Sequence, residues 1–263
     1  MASALRKTVL VTGAAGGLGK VIAETFLTAG ANVAICDVNK QRISAVEEEW
    51  SKTYSNRFFT KQTDVSNEAA VQELLDESAA KFGRVDVLVN NAGIMDDFSP
   101  AGDLSKDLWD RVMAINLTGP YLTTKAAVKQ FQKQEQPGGV IINIGSIASF
   151  NGFSSGCAYT VSKAGVMALT KNTAGYYGDK NIYSMALLLG ALEKTNIGDS
   201  FAHGNMHMDM YQKVLANTTP FDADKHTIPL QSIANYIQFL ARDEIAPVSN
   251  GSCVVFDKNR PAA

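Results

Sequence analysis

The sequence predicts an α/β protein, a doubly wound parallel sheet with helices on both faces, built as one domain. Three observations carry that expectation. Short β-branched apolar runs alternate with helical segments along all 263 residues, and parallel strands need such crossovers. A glycine-rich turn follows the first strand at once and opens a helix. No Pro/Ser-rich linker interrupts the alternation. Right-handed crossovers then place helices on either side of the sheet.

The elements read as follows. Residues 8–12 (TVLVT) are short, β-branched and closed by Gly13, as in a strand buried on both faces. The turn 13–19 (GAAGGLG) leads to a helix over 20–28, with Gly30 placed for its C-terminal cap. A second strand over 31–36 ends at Asp37, and a helix spans 41–54 with Glu47, Glu48 and Glu49 in water. A strand at 57–62 precedes Asp64 and Val65. Asn67 is placed to cap a helix over 67–82. The strand 85–89 runs into Asn90-Asn91-Ala92-Gly93, and 107–132 reads as one long helix containing Asn116. The strand 140–144 ends just before Ser146, and a helix over 156–177 carries Tyr159 and Lys163. A strand at 182–188, a long irregular stretch at 190–227, a helix at 230–241 and a strand at 252–256 complete the chain.

Composition excludes several functions. Net charge is −2, which gives no electrostatic footprint for nucleic acid or an anionic membrane. No apolar run approaches the roughly 18 residues of a membrane span. Cys36, Cys157 and Cys253 lie far apart without C-x-x-C spacing, and 1–7 lacks a signal-type apolar region. Free thiols and a soluble cytoplasmic protein are expected.

Two constellations carry chemistry. The first is strand, glycine turn, helix, strand and acid, the layout of a dinucleotide site. Glycines let backbone approach the pyrophosphate, and the helix N-terminus supplies N–H groups and positive dipole. Its spacing is T-G-x-x-x-G-x-G, through Thr12, Gly13, Gly17 and Gly19. Asp37 would accept the ribose hydroxyls of NAD(H) and repel a 2′-phosphate. Lys20, Lys40 and Arg42 leave NADP(H) as the second choice. The second is Ser146, Tyr159 and Lys163. Tyr159 and Lys163 are four apart and share a helix face. A tyrosine titrates near about 10 in water. A cation one turn away favours the phenolate, so the phenol can exchange a proton with a carbinol or carbonyl while a serine hydroxyl holds the substrate oxygen.

Together these motifs resemble the short-chain dehydrogenase/reductase family in its common single-domain form. The matching residues are Thr12-Gly13-Ala14-Ala15-Gly16-Gly17-Leu18-Gly19, Asp64, Asn90-Asn91-Ala92-Gly93, Asn116, Ser146 and Tyr159-Thr160-Val161-Ser162-Lys163. The resemblance implies a Rossmann-like seven-stranded parallel sheet and a homotetramer or homodimer. It implies Tyr159 as general acid/base, with Lys163 lowering its pKa and holding the nicotinamide ribose. Ser146 would orient the substrate oxygen, and Asn116 would hold a water relaying protons from Lys163. Asp64 and Val65 would meet the adenine. Asn91, Ala92 and Gly93 would line the adenosine half, and Asn90 is expected to be structural. Gly190, Leu192 and Thr195 would border the nicotinamide. That edge departs from the family pattern. Leu189 stands where a proline is usual, Lys194 where a threonine is usual, Met185 where an asparagine is usual, and Asp257-Lys258-Asn259 where Asp-Gly-Gly is usual.

The stretch 190–227 reads as a lid, with Phe201, His203, Met206, His207, Met208, Met210, Tyr211 and Phe221. Met95, Phe98, Ile147, Phe150 and Phe153 would add apolar wall. The substrate expected is a bulky, largely hydrophobic alcohol or ketone of steroid, terpenoid, polyketide-like or alicyclic kind. Packing of the lid or of a subunit interface is the competing use of these residues. His203 and His207 lack a third ligand, so no metal is expected. The alternative function is a catalytically altered relative, either a dinucleotide sensor or scaffold or a non-redox isomerase or dehydratase.

Overall fold

A computed structural model describes residues 7–193, 195, 197, 206–216 and 222–258. Seven strands form one sheet: β1 (Thr8–Thr12), β2 (Asn32–Asp37), β3 (Phe58–Gln62), β4 (Val87–Asn90), β5 (Gly139–Ser146), β6 (Ile182–Leu189) and β7 (Cys253–Phe256). Their order is β3-β2-β1-β4-β5-β6-β7, and every neighbouring pair is parallel. The chain winds outward from β1 to β3, returns beside β1 as β4, and winds outward the other way. The reversal opens a crevice between the C-terminal ends of β1 and β4, the place where such sheets bind ligands.

The described helices are α1 (Gly17–Thr28), α2 (Lys40–Ser51), α3 (Glu68–Phe82), α4 (Lys106–Met113), α5 (Gly119–Lys133), α6 (Cys157–Tyr177), α7 (Met208–Ala216), α8 (Ala223–His226) and α9 (Leu230–Leu240). The strands serve two cores. Val9, Val11, Val33, Ile35, Val87, Val89, Val140 and Ile142 share one core with α1, α2 and α9. Leu10, Ala34, Cys36, Leu88 and Ile141 alternate with them and share the other core with α3 and α5. Burial on both faces is why these strands read as continuous apolar runs.

The capping expectations agree with the structure. Asn67 Oδ1 accepts from Ala70 N, and Gly30 follows α1 at φ +94°. α1 starts at Gly17 rather than Lys20, so the glycine turn itself makes the first helical turn.

The long helix expected over 107–132 is divided. A π-turn, Ala114–Thr118, separates α4 from α5 and carries Asn116 at its centre. Pro120 explains part of the break. It has no N–H for the carbonyl of Asn116 four residues earlier, and its ring crowds that carbonyl.

Of the expected lid, Phe201, His203 and Phe221 lie outside the described residues, as do Lys194 and Asn259. The base of that segment is tied: Ile228 N donates to Ala191 O at 2.9 Å, and Glu193 N donates to Ile228 O at 3.4 Å.

Candidate active site

The glycine turn is shaped by close approaches. Gly13 sits at φ +61° and Gly17 at φ +53°, in the left-handed region. A Cβ on Gly13 would lie 2.8 Å from Ala92 Cα, and one on Gly19 would lie 2.4 Å from Gly13 O. Leu18 is buried and anchors the turn to the core. Gly16, the residue before α1, has no side chain to cap the helix. The first-turn N–H groups therefore suit an anionic phosphate, and the backbone around them admits one closely. This cradle fits the pyrophosphate of a nicotinamide dinucleotide.

Asp37 ends β2 beside the turn. Its carboxylate accepts from Ala15 N at 3.2 Å and Asn39 N at 3.0 Å. Lys20 is engaged with Glu49 at 2.7 Å and Glu24 at 3.5 Å. Asp64 is exposed, and its Oδ1 accepts from Ser66 N at 2.9 Å and Ser66 Oγ at 2.7 Å, a local turn. Val65 turns its buried side chain toward α5, where a Cβ on Gly119 would lie 2.8 Å from Val65 Cγ2.

After β4, Asn91 Nδ2 donates to Thr12 O and Gly13 O, both at 2.9 Å, while Thr12 Oγ1 accepts from Asn91 N and Ala92 N. These bonds tie β4 to the glycine turn, and Asn91 spends both of its amide protons there. Asn90 is structural, as expected. Its Nδ2 donates to Asn143 Oδ1 at 2.8 Å and its Oδ1 accepts from Thr123 Oγ1 at 2.6 Å, inside a buried network. Asn143 Nδ2 carries that network on to Thr170 Oγ1 at 2.9 Å.

Asn116 is fully buried. Its Oδ1 accepts from Ile94 N and its Nδ2 donates to Ile94 O, each at 2.8 Å, with Ser162 Oγ at 3.3 Å. The side chain thus clamps the loop after β4 to α6. Gly93 faces the same corner: a Cβ there would lie 3.4 Å from Asn116 Oδ1 and 3.5 Å from Lys163 Nζ.

Ser146, Tyr159 and Lys163 converge at the end of β5. Ser146 Oγ accepts from Ala148 N at 3.1 Å, which fixes its rotamer, and its hydroxyl lies near enough to that of Tyr159 to favour the phenolate. Lys163 Nζ donates to Ile144 O at 2.9 Å and sits 5.6 Å from the centre of the Tyr159 ring. Burial pushes the phenol up to about 12, with the Ser146 hydroxyl opposing and the nearby Asp96 charge adding to the rise. Burial lowers the Lys163 ammonium to about 8. In this arrangement burial, not the lysine, sets the tyrosine's titration.

At the far edge Leu189 is a full strand residue, in register with Ser146 of β5 and Phe256 of β7. A leucine carries the N–H that a proline lacks, so β6 continues to this point. Gly190 N donates to Phe256 O at 2.7 Å, and a Cβ on Gly190 would lie 3.0 Å from Asp257 Cα. The Ile228 tie uses the carbonyl of Ala191 and the N–H of Glu193, which leaves the N–H and C=O of Leu192 outside it. Thr195 is half-buried just beyond.

The loop after β4 also meets α7. His207 N donates to Asp97 O at 3.0 Å, and the Phe98 and Tyr211 rings lie 5.0 Å apart in a T-shaped arrangement. Phe98 has φ +67°, strained for an aromatic residue. Phe150 and Phe153 stand exposed. Among the described residues no group of three His, Cys, Asp or Glu side chains could hold a metal ion, and no helix is long and apolar enough to cross a membrane.

The sequence reading missed Asp96. Its carboxylate is buried at the start of α6 and accepts from Tyr159 N at 2.8 Å. The available signal was an acid set among apolar residues soon after Gly93, facing a helix whose cap position, Gly156, has no side chain.

Comparison with known proteins agrees with this geometry. A family model described as short chain dehydrogenase matches residues 7–205. The chain is 35% identical over 251 residues to the 3beta-hydroxysteroid dehydrogenase 2 of Eggerthella lenta, covering 95% of this chain and 93% of that one. Two solved structures share the fold. One is a 3-ketoacyl-(acyl-carrier-protein) reductase from Brucella melitensis complexed with NADH, with TM-score 0.81 and 26% identity, covering 98% of this chain and 99% of that one. The other is ElxO with NADP bound, with TM-score 0.80 and 28% identity, covering 97% of this chain and 98% of that one.

Proposed function

The chain belongs to the short-chain dehydrogenase/reductase family, and we propose that within it this protein is an NAD(H)-dependent oxidoreductase interconverting a secondary alcohol and a ketone. The observation that carries the reading is the meeting of Ser146, Tyr159 and Lys163 at the end of β5, beside an uncapped glycine turn.

A bound nicotinamide supplies the hydride acceptor or donor. The chain's own residues place the substrate and move the proton. Ser146, its rotamer fixed by Ala148 N, holds the substrate oxygen next to the Tyr159 hydroxyl. Tyr159 takes the carbinol proton in oxidation and returns it in reduction. A phenol pushed up to about 12 stays protonated at neutral pH and is a reluctant phenolate, so its basic form requires positive charge close by. Lys163, lowered to about 8, is still a cation at neutral pH. It spends one donor on Ile144 O and keeps two for the cofactor ribose and for a proton path. The Asn116 carbonyl, which Pro120 cannot bond, would hold the next water of that path.

Asp37 supports NAD(H) over NADP(H): its carboxylate would accept ribose hydroxyls and repel a 2′-phosphate. Lys20, already paired with Glu49, is poorly placed to compensate. Gly13, Gly17, Leu18, Gly19, Asn91, Ala92 and Gly93 form the cradle, Asp64 and Val65 flank the adenine through backbone, and Gly190, Leu192 and Thr195 border the nicotinamide.

The substrate proposed is bulky and largely hydrophobic, received between Phe150, Phe153, Met95 and the segment around Tyr211, which closes as a lid. A steroid, terpenoid, polyketide-like or alicyclic panel followed by NADH absorbance tests this. Turnover of such alcohols or ketones is expected; turnover confined to small polyols would refute the substrate class.

A further inference from the structure

We propose that Asp96 is a positioning residue for Tyr159, a buried carboxylate lent by the loop after β4 as the N-terminal cap of the helix that carries the tyrosine. The proposal rests on the reading of Tyr159 as the acid/base.

The geometry is specific. Asp96 is 2% exposed. Oδ2 accepts from Tyr159 N at 2.8 Å. Oδ1 accepts from Gly156 N at 3.2 Å, Phe98 N at 3.2 Å and Ser155 Oγ at 3.4 Å. Tyr159 is the third residue of α6, the position whose N–H an N-cap side chain ordinarily satisfies. Here the cap position is Gly156, which has no side chain, and the missing acceptor arrives from 63 residues away. Gly156 is also what admits it, because a Cβ there would lie 2.5 Å from both carboxylate oxygens. An anion at this end of a helix is further favoured by the helix dipole.

Two consequences follow for the chemistry. The bond to Tyr159 N fixes the backbone of the acid/base itself, so the phenol's reach depends on Asp96. The carboxylate also places a buried negative charge near the phenol, which holds the proton on Tyr159 more tightly. The charged and titratable groups around it are Asp97 beside it, Tyr159 of α6 with Lys163 against that ring, and His207 just before α7, which meets Asp97 at 3.9 Å. Asp96 thus adds to the rise that burial already gives the phenol, and the positive charge of Lys163 acts in the opposite sense.

The experiment compares Asp96→Asn with the wild-type chain. Asparagine keeps the shape, removes the charge and turns an N–H group toward one of the backbone N–H donors. The expected result is a kcat lower by roughly tenfold or more with KM for NADH within about twofold, since the cradle at α1 is untouched. The tyrosine limb of the pH–rate profile should move to lower pH by about half a unit or more. Phenolate absorbance of each form, corrected by its Tyr159→Phe counterpart, should show the same shift with no turnover needed. Wild-type protein that turns over nothing would therefore refute the oxidoreductase reading while the titration still decides on Asp96. A folded Asp96→Asn chain with wild-type kcat and an unmoved phenol titration overturns the proposal. If that variant does not fold, hydrogen exchange at the wild-type Tyr159 amide decides: protection like that of the helix interior supports the cap, and exchange at the rate of an open first-turn amide overturns it.

Discussion

Lys163→Met should stabilise the cofactor-free protein while abolishing its activity. Burial lowers the Lys163 pKa from its ordinary 10.5 to about 8. That shift corresponds to about 3 kcal/mol at pH 7, since one unit is worth about 1.4 kcal/mol. The sign follows from linkage. A group whose folded pKa is depressed withholds stability when charged, so stability is lost as pH falls from 10.5 through about 8 and is recovered on the way up. Methionine has a similar length, carries no charge and packs adaptably. Loss of the bond to Ile144 O gives back about 1 kcal/mol. The net gain at pH 7 is then about 2 kcal/mol, or roughly 4–8 °C in Tm for a domain of this size. At pH 9.5 the folded lysine is already neutral and most of the advantage disappears. Thermal unfolding of both forms by circular dichroism at the two pH values is the assay. An unchanged or lower Tm for Lys163→Met at pH 7, or a gain that grows with pH, refutes the reasoning.

Other outcomes follow from the same geometry. Asp37→Ser should reduce the NADH-over-NADPH ratio of kcat/KM by about tenfold or more, as removal of a repelling carboxylate requires; an unchanged ratio in steady-state kinetics would place cofactor choice elsewhere. Gly19→Ala drives a Cβ to 2.4 Å from Gly13 O, so NADH affinity measured by fluorescence titration should fall by at least about tenfold. Wild-type affinity in that variant would show that the turn does not cradle the cofactor.

Most of the fold was legible because it is written in local patterns. Val9-Leu10-Val11 feeds both cores, and burial on two faces leaves an unbroken apolar run that only a covered parallel strand needs. Asn67, Gly30 and the glycine turn are local signals as well. The π-turn at Asn116 was not legible. It depends on the Asn116 amide meeting Ile94 across the crevice, a contact that helical periodicity does not encode. Asp96 was hidden for the same reason, as its partners lie about sixty residues along the chain. The spacing of Tyr159 and Lys163 correctly put both on one helix face. It could not show that the ammonium bonds to Ile144 O while burial raises the phenol. Leu189 looked like a break in the family pattern, and in the sheet it is an added rung between β5 and β7.

The central claim is that the Tyr159 hydroxyl carries the proton of a hydride-transfer reaction. Tyr159→Phe deletes that one oxygen and leaves the cradle, Ser146 and Lys163 in place. The measurement is NADH-coupled turnover of a secondary alcohol or ketone by the two forms, alongside their NADH affinity. The account predicts affinity within about twofold and turnover lower by about a thousandfold or more, in the range that loss of an acid/base group removes. Equal turnover by the phenylalanine variant would contradict it.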